Sequence, residues 1–123
     1  MRSVILLAFA LALPATALHA QAMPVSQFLA KADALQKKGP LALFSSDIKK
    51  LKGEVQASGQ ALRNEQLAMQ KAGRKPPYCI PPKAELNSKE ILDHFRSIPV
   101  AQRGMPVKMA FLGLVKRKYP CPA

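Results

Sequence analysis

Past an apolar leader the chain carries only two cysteines, and both stand among prolines: Tyr78-Cys79-Ile80-Pro81-Pro82 and Tyr119-Pro120-Cys121-Pro122. Proline removes a backbone donor and pushes the residue before it towards extended backbone. Each cysteine is therefore expected in a stiff, non-helical stretch that holds it in place. In an oxidising compartment one intrachain disulfide is the simplest outcome, and two cysteines leave its connectivity unambiguous. An intermolecular bridge or two free thiols are the alternatives. Closing a loop of about 43 residues stabilises a fold by roughly 4 kcal/mol in the chain-entropy model.

The oxidising compartment is itself an inference from the leader. Arg2 precedes the apolar run Val4 to Leu13, which ends at Pro14 in small residues. Such a run is too short for the roughly 20 residues a bilayer requires and reads as a secretory signal peptide over 1–22, with Ala20-Gln21-Ala22 as the expected cleavage motif. Periplasmic export without stable membrane insertion follows from this reading. The remaining 101 residues, 23–123, suffice for one domain whose core alone leaves a thin margin of stability, so a covalent staple matters. Losing Arg2 with the leader lowers the formal net charge from +12 only to +11. A field of that sign calls for an anionic partner. Nucleic acid is not expected, because no tryptophan and no stacking or groove-reading motif accompanies the basic residues.

Four helices are legible in what remains. Val25, Phe28, Leu29, Ala32 and Leu35 recur at helical spacing between a Ser26 cap and the Gly39-Pro40 stop. Ser45-Ser46-Asp47 then caps a long helix running to Ala72 and ending at Gly73, with a seam of Ile48, Leu51, Val55, Leu62 and Met69 that Ser58, Gly59 and Gln66 make small or polar midway. Asn87 and Glu90 form a capping box for a helix lined by Ile91, Leu92, Phe95 and Ile98. Pro106 opens a fourth, whose stripe is Val107, Ala110, Phe111, Leu114 and Val115 and whose last turn carries Lys116, Arg117 and Lys118. Met109 and Leu112 make that helix apolar nearly all round, as a central or shared helix would be. The expected fold is all-α: a small four-helix domain with one disulfide tying the loop before the third helix to the end of the fourth.

No reaction chemistry is legible. His94 is the only imidazole outside the leader, beside Asp93 on a helix, where a solvated surface position is expected. A Cys79–His94 hydrolase conflicts with the disulfide, and no Gly-x-Ser-x-Gly elbow is present. Scattered carboxylates give no chelating motif, so neither metal nor cofactor is expected. These features point to a binding protein rather than an enzyme.

The stretch from Tyr78 to Pro122 resembles the Rap/Tai family of bacterial immunity proteins, periplasmic antidotes to effectors delivered by type VI secretion. The elements carrying the resemblance are aromatic-Cys79-Ile80-Pro81-Pro82, a capped amphipathic helix closing in Ile98-Pro99, a loop with Arg103, an apolar helix, and the ending Tyr119-Pro120-Cys121-Pro122. The resemblance implies an all-helical domain with Cys79 joined to Cys121, frequently a homodimer, that binds an effector and blocks its active site. Given the charge, an acidic effector is expected, a cell-wall amidase first among the candidates. Arg103, Gln102, Arg74, Lys75, Lys116, Arg117 and Lys118 are the candidate contact residues, with Arg103 equally suited to capping the third helix. A basic structural or stress protein that binds anionic envelope components is the alternative function.

Overall fold

The structure is a computed structural model that describes residues 22–122. Apart from Ala22, the expected leader lies outside the described residues. Among the described residues four helices form: α1 (Val25–Lys38), α2 (Ser46–Lys71), α3 (Ser88–Ser97) and α4 (Val107–Lys118). A 3₁₀ turn over Gly39–Phe44 joins α1 to α2, and a second, Val100–Gln102, lies between α3 and α4. The fold is all-α, and the disulfide joins Cys79 to Cys121 across a Cα–Cα distance of 4.8 Å.

The expected stripes of α1 and α4 are buried in full: Val25, Phe28, Leu29, Ala32 and Leu35 on one, Val107, Ala110, Phe111, Leu114 and Val115 on the other. Phe95 of α3 is completely buried, edge-to-face on Phe28 with ring centroids 5.2 Å apart. Of the other apolar side chains on α4, Leu112 packs against the core while Met109 is 60% exposed, so the helix is not buried all round.

Two helix starts differ from expectation. Ser26 lies inside α1, and Pro24 occupies the cap position with no side-chain cap. The free N–H groups of the first turn are met by backbone instead: Val25 donates to Met105 O and Ser26 to Arg103 O, both at 2.9 Å. Val107 N reciprocates towards Met23 O at 2.9 Å, which stitches the starts of α1 and α4 together. Pro106 stands just before α4 rather than in its first turn.

The seam of α2 lies where expected, with its polar members buried at the centre. Leu51, Ser58, Leu62 and Gln66, all members of the expected seam, are its buried residues, whereas Ile48, Val55 and Met69 are half-buried. The polar residues are buried because they have work there. Gln66 accepts from Ile80 N at 2.7 Å and donates to Ile80 O at 3.3 Å, pairing the prolyl strap with α2 as a neighbouring strand would. Tyr78, 2% exposed, donates its hydroxyl to Leu62 O at 2.7 Å. Arg63 reaches Pro82 O and Pro81 O at 3.2 and 3.0 Å. The helix ends where Gly73 takes a φ of 70°, with Gly73 N and Arg74 N returning to Gln70 O and Met69 O, a closure that requires the left-handed backbone glycine tolerates.

Candidate functional site

The disulfide end of the molecule gathers most of the candidate contact residues. Arg74 and Lys75 leave α2 immediately before Pro76, whose carbonyl lies 3.5 Å from the Cys121 sulfur. Cys79 N donates to Tyr119 O at 2.8 Å, which brings the strap against the last turn of α4 and hence near Lys116, Arg117 and Lys118. Arg74, Lys75, Lys116 and Arg117 are exposed and make no ion pair among the described residues. Lys118 is committed elsewhere, 2.5 Å from the Glu90 carboxylate and 3.3 Å from Glu85 O. That contact, followed by the Asn87 N–H of the capping box, holds the Glu90 carboxyl below its ordinary range, and Glu90 in turn raises the Lys118 ammonium.

Gln102 and Arg103 are not part of this cluster. They precede α4 and lie one helix length away, about 18 Å for twelve residues. Gln102 is exposed, while the Arg103 guanidinium donates to Ile98 O at 2.9 Å and Arg96 O at 2.8 Å. Arg103 thus caps the end of α3, and its own carbonyl caps α1. Arg103→Ala is expected to lower Tm by several degrees, since the freed carbonyls regain water and the net loss for such solvent-accessible bonds is about 1 kcal/mol. A melting curve with a partner-binding assay checks it: the variant melts earlier and binds as before.

His94 departs from the solvated position expected of it. Its Nε2–H donates to Ala110 O at 2.9 Å, and its Nδ1 is buried without a partner. Burial pushes the imidazole below its ordinary range, the Ala110 bond opposes that, and nearby Arg117 adds to it. The neighbouring Ser97 hydroxyl donates to the His94 carbonyl at 2.5 Å rather than facing the ring. His94 therefore packs α3 against α4. An imidazole held neutral in the fold contributes stability that is complete above the unfolded value of 6.5 and is lost as pH falls through the lower folded value. Tm is expected to decline from neutral pH to about pH 5 and to decline less in His94→Gln, which retains a donor for Ala110 O and does not titrate. Asp47 and Glu90, both held below the carboxylate range, lose their contributions only at lower pH.

Beside the disulfide end, α2, the strap and α4 enclose an open groove of about 450 Å³, with Val55, Ile80, Leu86 and Phe111 on its walls and Gln60 and Arg63 at its rim. Among the described residues no three His, Cys, Asp or Glu side chains come together as metal ligands would, and no helix is long and apolar enough to cross a membrane. Sequence reasoning overlooked the pairing of Gln66 with Ile80, for which no local signal exists, and the outward face of the Gly39–Phe44 turn. There Leu41, Leu43 and Phe44 are 70, 77 and 87% exposed, a placement their position beside a helix stop could have suggested. No family model matches the chain, and no curated protein or solved structure matches it.

Proposed function

We propose that the chain is a periplasmic immunity-type protein that binds an acidic effector of type VI secretion, a cell-wall amidase foremost, and blocks it sterically without catalysis. The observation that carries this reading is the Cys79 and Cys121 frame with its intervening helices, which resembles the Rap/Tai family. Arg74, Lys75, Lys116 and Arg117, exposed and without an ion pair among the described residues, supply charge complementary to an acidic cleft. Steering by such a cluster speeds encounter and weakens with salt, while apolar contacts in the neighbouring groove would sustain the complex.

The test is capture from periplasmic extracts of competing cells on the oxidised protein, at low and at moderate salt. One stoichiometric protein that survives moderate salt, and that is captured more slowly by an Arg74→Glu/Lys75→Glu/Lys116→Glu/Arg117→Glu variant, is the expected result. Heterogeneous, salt-labile polyanions with no such protein would sink the reading and leave a binder of anionic envelope material.

A further inference from the structure

The turn between α1 and α2 presents an apolar surface that the fold does not use. Gly39–Phe44 is a 3₁₀ helix, in which residues three apart eclipse, so Leu41 and Phe44 share one outward face with Leu43 beside them. Ala42, the small residue of the turn, is the one that faces the core. Three large apolar side chains on one six-residue turn are unusual for a monomer, where contiguous apolar patches tend to mark a contact surface.

Charge surrounds it on both sides. Lys37 and Lys38 close α1 immediately before the turn, and Lys49, Lys50 and Lys52 follow on the first turns of α2. None of the five makes an ion pair among the described residues. The carboxylate of Asp47 is occupied by Lys31 at 3.1 Å, and Glu54, a turn beyond Lys50, makes no ion pair among the described residues. Asp47 is held below the usual carboxylate range chiefly by Lys31, and the charges of Lys50 and Lys38 also act on it. Lysines from both flanks therefore converge at the base of the apolar tip. The whole device sits at the start of α2, about 39 Å of helix away from the Arg74–Lys75 end.

We infer that this tip is a membrane-interface anchor: Leu41, Leu43 and Phe44 enter the headgroup and acyl boundary of an anionic phospholipid surface while Lys37, Lys38, Lys49 and Lys50 engage its phosphates. An exposed apolar tip flanked by long cationic side chains matches a soft, anionic, laterally extended partner. It requires no shaped pocket on the other side. The inference does not depend on the antagonist reading and concerns a different surface.

Because the chain lacks tryptophan, Phe44→Trp places a single reporter at the tip without disturbing the core. The exported, oxidised variant is titrated with vesicles of phosphatidylcholine containing one-third phosphatidylglycerol, with pure phosphatidylcholine, and with anionic vesicles carrying brominated acyl chains. Expected are a blue shift and bromine quenching with the anionic vesicles only. Each lysine near such a surface contributes roughly fivefold in affinity. Lys37→Gln/Lys38→Gln/Lys49→Gln/Lys50→Gln should therefore bind several hundredfold more weakly, roughly 600-fold if the four contributions multiply. In the wild-type background, Leu41→Ser/Leu43→Ser/Phe44→Ser should lower vesicle affinity at least tenfold at unchanged Tm, an order-of-magnitude expectation from the apolar area lost. Indole fluorescence that brominated vesicles leave unquenched, or vesicle binding that the triple serine variant retains, overturns the proposal. A concentration-dependent blue shift without vesicles would assign the tip to a second copy. A shift produced only by a captured effector would assign it to a protein partner. Either result overturns the membrane assignment.

Discussion

Replacing Cys79 or Cys121 by serine is expected to lower Tm by roughly 15–30 °C, equally in the two single variants and in the double variant. The staple closes a loop of 42 residues' separation, worth about 4 kcal/mol in the chain-entropy model. A domain of this size shifts by about 4–8 °C per kcal/mol. The loss is large because the disulfide also fixes contacts that depend on the strap. Cys79 N to Tyr119 O, Ile80 to Gln66 and Tyr78 to Leu62 all bear on residues within two positions of Cys79. Thermal melts with and without reductant measure it. Identical curves for wild type and variants would show that the strap is held by its hydrogen bonds alone.

The second large effect is expected at the other side of the core. Phe95→Ala removes a fully buried ring that joins α3 to α1 through Phe28, and large-to-small changes of this kind cost about 3–5 kcal/mol. That is a large fraction of the roughly 5–15 kcal/mol available to a small protein, so the variant is expected to be partly unfolded near body temperature. Phe44→Ala removes the same side chain from a site 87% exposed and is expected to leave the melting curve in place. Denaturant titration of the pair separates a core phenylalanine from a surface one. Equal losses in both would mean that the turn before α2 belongs to the core.

What was legible in the sequence was local. The stripes of α1 and α4, the Asn87–Glu90 capping box and the Ser45 cap depend on residues within four positions of each other, and these appear as read. The pairing of the cysteines was legible because only two exist. What escaped depends on partners distant in the chain. Ser26 looks like a cap, yet carbonyls from 103 and 105 arrive to satisfy the same donors. Gln66 reads only as a polar member of the α2 seam, and the two backbone partners that the strap supplies to it carry no local signal. His94 looks solvated on its own helix and is covered only because α4 crosses it. The contact residues were chosen by charge. Five of the seven gather at the disulfide end, but Arg103 is spent on the carbonyls of α3, a fate that its sequence neighbourhood left open.

The most direct test of the central claim is survival in contact. A strain of the source cell deleted for this gene, together with any second copy, is grown on a surface against its own parent and against the parent with type VI secretion disabled. An immunity-type protein predicts that the deleted strain is killed by the armed parent, spared by the disarmed one, and rescued by the wild-type gene exported to the periplasm. Equal survival against both parents would contradict the antagonist reading.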